Sequence, residues 1–571
     1  MDLSISGSTL RQSLVQAKLT TGRGRMFWIT GALLLSAILA GWKLSAVPLD
    51  DHESYVSVTA REMLGGGSWI EPTFNGKPRL QKTPLSYWLV ASIARVTGKV
   101  NEFAARLPSA VFAFLSACAV LYFVNRWLSL RIALIATAVW ATSIGYVHWS
   151  HSARPEMGLV FFVTLCLLSF YSAVTSEERR SRVVFMLVFW VSFAMGNLAK
   201  GPAPVVYVLL PVGLYIAVRR EWRVIPKLLP IWGIIICLAV VLPWPLAAAH
   251  KVNWDVMIWK REFFDRLFGE YAAGNYPWYY YLGMVFKFTS PWCIFLPIAL
   301  VAPFYKSWGE KRPVMQFLWL WFAADFVFLM LSGGKRQHYL LPLIPAMSIL
   351  TAILIDEMAF VRQVFTLKYA ANILRGHVLF SVLVSIAVPV YFAKAKIPEP
   401  ASATVWVYVI SFSVILIVTT IVVTILFVKR YSSIACVALF CGITVLMAHH
   451  YTSLLNILSP DQPVKQFALK AAEMVPTTDK AVSYGTVPSN FIHYFGRNVV
   501  RVPDVSELNN LYQQNYWVVS FGKGMDELLS TGQFKLVYMD TNAKKRGENI
   551  SAGGLFHVRS AVIESATKPS L

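Results

Sequence analysis

The stretch from Asp50 to Tyr87 packs charge of both signs into a short span: Asp50, Asp51, Glu53, Arg61, Lys77, Arg79 and Lys82. It follows directly on an apolar segment near the start of the chain. Ionic groups held at the edge of a hydrocarbon layer are costly unless they meet a partner, so a loop this dense in charge suits an ionic ligand, of which a lipid phosphate is the nearest at hand. Lysine and arginine supply counter-charge for a phosphate, and a carboxylate accepts a proton at neutral pH. Lys82, two residues before Pro84, and the acidic turn Asp50–Glu53 are therefore the first candidates. Each has a structural reading as well: Asp50 and Glu53 are spaced as a helix capping box, and Lys82 can snorkel to headgroups.

The elements that position these groups are set by composition. Of 571 residues, 56% are hydrophobic and 14% charged, which is the balance of a membrane protein rather than a soluble one. Apolar segments near 27–45, 104–124, 132–148, 157–174, 184–198, 203–218, 228–248, 278–302, 314–331, 338–355, 377–393, 404–428 and 432–448 approach the roughly 20 residues a span needs, predicting about thirteen transmembrane helices. The first reads as a retained span rather than a cleaved signal. With the N-terminal segment 1–26 placed in the cytoplasm, alternate loops are basic: Arg126 and Arg131; Arg179, Arg180 and Arg182; Arg219, Arg220, Arg223 and Lys227; Lys306, Lys311 and Arg312; Arg362, Lys368 and Arg375; Lys429 and Arg430. That puts the membrane domain at 27–450, its long loops 46–103 and 249–277 outside, and the C-terminus outside.

The net charge of +22 is largely accounted for by the inner loops and the basic opening loop. A nucleic-acid site would need a soluble basic patch with aromatic platforms, which is lacking. The six cysteines lie in or beside apolar segments without paired spacing, as core residues rather than disulfides or metal ligands. From about Leu454 the apolar runs shorten to strand length at 481–484, 516–520, 535–538 and 554–558, with helical stretches at 464–474 and 525–529 between them. Residues 451–571 thus read as a small extracytoplasmic α/β domain with a disordered tail after Ile563.

In the first outer loop, Val56, Ala60 and Met63 recur at helical spacing, predicting an amphipathic helix from Asp51 to Leu64 lying on the membrane surface. Gly65, Gly66 and Gly67 end it, and Asn75-Gly76 is a turn signal. Several runs then resemble a known family: Arg61–Leu64 (REML), Trp69–Pro72, Asn75-Gly76, Gln81–Pro84, Ala105–Ala110 (ARLPSA), Ala153–Met157 (ARPEM), Ala199–Pro202 (AKGP), Glu262 with Arg266 before Pro277–Tyr280, and Ser332–Pro345 (SGGKRQHYLLPLIP). In this order, over about residues 27–450, they resemble the superfamily of bacterial aminoarabinose transferases and protein O-mannosyltransferases.

The resemblance implies a polytopic helical GT-C glycosyltransferase in the inner membrane that takes its sugar from a polyprenyl phosphate, with inversion at the anomeric carbon. Such a transfer needs a cationic cradle for the leaving phosphate and a base for the acceptor's proton. Lys82, Arg266 and Lys335 are the expected cradle, with Lys200 and Tyr339 from the matching segments beside them. Asp51 is the expected base, with Asp50, Glu53 and Glu156 as further acidic candidates. Aligned without gaps from Lys82, the family's Asp-Glu pair falls on His52-Glu53, and a one-residue shift brings Asp51 into that place. A Glu and a His that bind zinc in the aminoarabinose branch correspond to Gln81 and Arg261. A guanidinium cannot ligate a metal, so no structural zinc is expected at that place and no cofactor is predicted, with a need for another divalent metal left open; Arg261 adds charge at the phosphate instead. The acceptor stays open between lipid, glycan and protein. A flippase-type transporter and an inactive assembly protein are the alternatives from other classes.

Overall fold

The computed structural model describes residues 22–251, 276–361, 364, 367–394, 401–450, 462–510, 516–531, 534–539 and 553–558. The expected site residues Arg261 and Arg266, with Glu262, lie outside these, as do most of loop 249–277 and the C-terminal tail.

Among the described residues, nine helices are long and apolar enough to cross a membrane, and eleven spans result if each of two bent pairs counts as one. The bent pairs are Leu130–Ala141 with Ile144–Ser150, turned by 58°, and Tyr280–Thr289 with Trp292–Phe304, turned by 117°. Two shorter apolar helices, Ala203–Arg219 and Ile434–His449, complete the set, so each apolar segment read from the sequence corresponds to a helix or a bent pair. The chain is a multi-pass membrane protein. Its core is built from Glu102–Trp127, Leu130–Ala141, Glu156–Val174 and Gln337–Val361, of which the last two spans are mostly enclosed by other helices. At one end of the bundle, Arg131 pairs with Asp356, and Lys311 lies 3.6 Å from Asp356 and 3.5 Å from Glu357.

The opposite end carries the charged loop and the C-terminal domain. Helix Asp51–Leu64 forms with the bounds its sequence implies, because Asp50 caps it: the Asp50 side chain accepts from Glu53 N (2.7 Å) and Glu53 returns the bond to Asp50 N (3.0 Å). The expectation that it lies on the membrane surface is corrected. Val56, Ala60 and Met63 pack on Tyr87, Val90, Ala91, Ala105 and Ala153, so its apolar stripe is spent on protein rather than lipid. The partner is a helix unseen in the sequence, Leu85–Thr97, which ends at Gly98. Between the two helices runs a hairpin, β1 (Thr73–Phe74) and β2 (Lys77–Pro78). Asn75 and Gly76 both take positive φ, as a two-residue hairpin turn of this type requires.

The C-terminal domain is a five-stranded sheet of β3 (Lys480–Tyr484), β4 (Val500–Val502), β5 (Tyr516–Phe521), β6 (Phe534–Met539) and β7 (Gly553–Val558), in the order β4-β3-β5-β7-β6. β4, β3 and β5 run parallel, and β7 is antiparallel to β5 and β6. Alternate β5 side chains serve two faces. Tyr516 and Val518 meet Met525 and Leu528 of helix Lys523–Thr531 on one face, while Val519 and Phe521 pack with Phe467 of helix Gln462–Met474 and Phe491 of helix Ser489–Phe495 on the other. The four expected strands are present; β4 and helix Ser489–Phe495 were too short to stand out.

This domain is fastened to the charged loop. Asn75 exchanges two 2.7 Å hydrogen bonds with the backbone of Val499. Arg61 donates to the carbonyls of Ile492 (3.1 Å) and His493 (2.9 Å). Ser57 meets His493 Nδ1 at 2.9 Å, and Leu49 N donates to the Tyr494 hydroxyl at 2.7 Å. Lys465 and Tyr494 both reach Glu102 at the start of its span, at 2.6 and 3.0 Å.

Candidate active site

The acidic turn at the head of helix Asp51–Leu64 is where the expected bases lie, and its members have different surroundings. Glu53 is buried against Arg106, with contacts of 2.8 and 2.7 Å, and also accepts from Ala153 N at 2.7 Å. Burial alone would raise its pKa, but the Arg106 charge and these hydrogen bonds hold the carboxyl below its ordinary value. Arg106 also donates to the carbonyls of Leu44, Val47 and Pro48, so the pair anchors both sides of the turn. Asp50, besides capping the helix, is ion-paired with Arg154. Asp51 accepts from the backbone N–H of Ser489, at the start of helix Ser489–Phe495. His52 is exposed, with its ring 6.5 Å from that of Tyr55.

The hairpin leads into the Lys82 segment. Arg79 stacks over the Tyr55 ring at 4.2 Å and donates to the Tyr87 hydroxyl at 3.1 Å, while Glu62 accepts from Thr73 and from Gly76 N. The side chains of Gln81 and Lys82 are half-buried. Beside this segment is a narrow cleft lined by Val56, Leu85, Ser109, Phe112, Arg154 and Ala199. Next in sequence to the lining residues Pro155 and Ala199, two more expected residues come together: Glu156 and Lys200 pair at 3.0 Å, with His338 at 3.4 Å from the same carboxylate oxygen. Lys200 lies 5.7 Å from the centre of the Tyr339 ring. Lys335 is buried and donates to the Ser332 carbonyl. Arg154 Nε and Glu156 Oε2 are buried and have no hydrogen-bond partner among the described residues.

Thus Asp50 and Glu53 are drawn into one ionic network beneath the loop, and Glu156, Lys200 and Tyr339 into a second group around the Glu156 carboxylate. The reading of single residues missed Arg106, Arg154 and His338, though all three stand in the quoted runs ARLPSA, ARPEM and SGGKRQHYLLPLIP. Gln81 offers only a neutral amide oxygen, and no group of three or more His, Cys, Asp and Glu side chains among the described residues is placed to hold a metal ion; Arg261 lies outside those residues.

A helical bundle with a loop-borne site at one end, topped by a small α/β domain, is the architecture of GT-C proteins. The family model described as dolichyl-phosphate-mannose-protein mannosyltransferase matches residues 47–254, which include the charged loop and the cleft. The backbone is similar to ArnT from Cupriavidus metallidurans bound to undecaprenyl phosphate, with a TM-score of 0.79, 18% identity and coverage of 94% of this chain and 98% of that one. It is also similar to the archaeal oligosaccharyltransferase AglB from Archaeoglobus fulgidus, with a TM-score of 0.51, 10% identity and coverage of 87% and 70%. The chain shares the fold of these solved structures and, over residues 47–254, is similar to protein mannosyltransferases. The sequence is also 31% identical over 336 residues to an undecaprenyl phosphate-alpha-4-amino-4-deoxy-L-arabinose arabinosyl transferase from Pseudomonas savastanoi pv. phaseolicola, covering 56% of this chain and 60% of that relative's length.

Proposed function

We propose that the protein is a glycosyltransferase that moves a sugar from a polyprenyl-phosphate donor to a lipid, glycan or protein acceptor on the outer face of the inner membrane. The observation that carries this reading is the overlay of nearly the whole chain on the fold of ArnT bound to undecaprenyl phosphate, with charge gathered at the bundle end where the loop lies. The N-terminus is cytoplasmic and the domain of residues 451–571 extracytoplasmic, an orientation supported by the basic loops at the other end.

In this reading Lys82 and Lys335, with Arg261 and Arg266 from the second long loop, neutralise the phosphate as it leaves. Arg154, whose Nε is unspent at the cleft wall, offers a further donor. Glu156 and Lys200 neutralise each other in their ion pair. Asp50 and Glu53 hold the turn in place through Arg154 and Arg106, and a group of the same turn takes the acceptor's proton.

The test is transfer of radiolabel from polyprenyl-phosphate sugars in membranes containing the protein. Label reaching lipid, glycan or protein establishes the enzyme and names its acceptor. Absence of transfer from every donor, with the protein folded, sinks the reading.

A further inference from the structure

We propose that a cavity at the end of the bundle remote from the charged loop holds an acyl chain of an anionic phospholipid, whose headgroup rests on the basic residues at the rim. The cavity offers about 580 Å³ between the break at Trp292–Phe295, the end of span Gln337–Val361 and helices Leu367–Lys394, Ala401–Val428 and Ser432–His449. Phe295, Ile355, Leu374, Phe427 and Phe440 line it. Trp292, also in the wall, spends its indole N–H on Thr142 Oγ1 at 3.0 Å. That leaves His377 as the strongly polar side chain of the lining.

The walls call for hydrocarbon. Protein packing leaves few voids larger than a water molecule, and an apolar cavity stays dry, so the filler must itself be apolar. Spans Asn372–Lys394 and Val405–Val428 have 6% and 17% of their apolar stretches buried inside the protein, so these helices form a layer set against the core rather than within it. Across the cavity the rings of Trp292 and Phe440 meet at 5.2 Å. A chain lying beside that contact gives both layers the dispersion contacts they lack.

Charge at the rim selects the lipid. Asp356 and Glu357, next to the lining residues Ile355 and Met358, are neutralised by Arg131 and Lys311. Arg375 follows Leu374 directly, and Lys429 and Arg430 follow Phe427 by two and three positions; all three side chains are exposed. These cations suit a phosphate. His377 lies two residues further into its helix than Arg375, about 3 Å along the axis, and its ring makes no hydrogen bond to a described residue. Its N–H is therefore available to a glycerol ester carbonyl, which sits deeper in a bilayer than the phosphate. The tail of a polyprenyl-phosphate donor is the other hydrocarbon at hand, but its phosphate belongs at the opposite end of the bundle, where it leaves these cations unused. In the proposed orientation the rim faces the cytoplasmic leaflet, whose anionic lipids attract basic residues.

The experiment uses the full chain in neutral detergent with phosphatidylglycerol carrying a diazirine in its acyl chain. After illumination, cross-linked peptides are mapped, and unlabelled phosphatidylglycerol, phosphatidylcholine and undecaprenyl phosphate serve as competitors. Cross-links are expected in segments 373–377 and 436–440, displaced by phosphatidylglycerol and not by the other two. Ala435→Phe, which fills the cavity, should abolish them. Arg375→Gln combined with Lys429→Gln, on the exposed surface, should leave the melting profile unchanged and weaken capture by about 30-fold, as expected for two cations near a lipid surface. The double variant decides the matter if Ala435→Phe does not fold. Cross-links lying elsewhere, or capture by the double variant equal to wild type, overturn the proposal. Equal competition by phosphatidylcholine reduces the site to unselective hydrocarbon filling, and equal competition by undecaprenyl phosphate assigns it to the donor's tail; both also overturn it. None of these outcomes touches the transferase reading, which rests on the opposite end of the bundle.

Discussion

At the scale of single residues, acidic groups that look alike in sequence part company once their neighbours are known. Glu53 and Arg106 are both almost fully buried, and removing one partner of such a pair leaves an uncompensated charge, at a cost of about 3–5 kcal/mol. Arg106 also serves three backbone carbonyls, whereas Glu53→Gln keeps an acceptor for Ala153 N. Arg106→Met should therefore lower the thermal midpoint in detergent further than Glu53→Gln; the reverse order would show that the turn is not anchored through Arg106. Lys82 is assigned to charge developing on a leaving phosphate. Lys82→Ala should cut single-turnover transfer by about 10²–10³-fold while the protein stays folded in detergent, and wild-type turnover would remove it from the cradle. The capping box at Asp50 was legible because it is a local pattern. The partners Arg106 and Arg154 were not, since 53 and 104 positions separate them from Glu53 and Asp50.

At the scale of elements, helix Asp51–Leu64 is held on three sides, by the membrane domain, the hairpin and helix Ser489–Phe495. Its extent could be read from spacing and from the three glycines after it. Its burial could not, because the covering helices Leu85–Thr97 and Ser489–Phe495 give little sequence signal of their own. The contact with His493 makes the docking sensitive to pH. Burial, aided by the nearby Arg61 charge, pushes the His493 imidazole down to about 4, so the docked state holds it neutral. A base with a lowered folded pKa contributes stability that is complete above its unfolded value of about 6.5 and is lost as pH falls from there towards 4. Hydrogen exchange of residues 51–64 should thus be slower at pH 7.5 than at pH 5 after correction for intrinsic rates. His493→Gln should flatten the difference. Equal protection of the wild-type helix at both pH values would refute this coupling.

At the scale of the molecule, the spans were legible because about 20 apolar residues in a row have few other uses. The two sharp bends, at 58° and 117°, were not, since continuous hydropathy does not record direction. The proposed orientation makes a direct prediction. In a cysteine-free background, Ser506→Cys on the exposed surface of the C-terminal domain should react with an impermeant maleimide added to intact cells, and Glu177→Cys at the other end should react only after the membrane is opened. The opposite pattern would invert the protein and place the site on the cytoplasmic side.

The fastening of the C-terminal domain to the charged loop bears on how such proteins can be recombined. Asn75 with Val499, Arg61 with the carbonyls of Ile492 and His493, and Leu49 N–H with Tyr494 are reciprocal matches across more than 400 positions. A chimera that grafts a foreign C-terminal domain onto this bundle strands half of each match, even if both halves are intact. Residues 49–76 and the domain that grips them form one unit of exchange, interrupted in the chain by every span after the first.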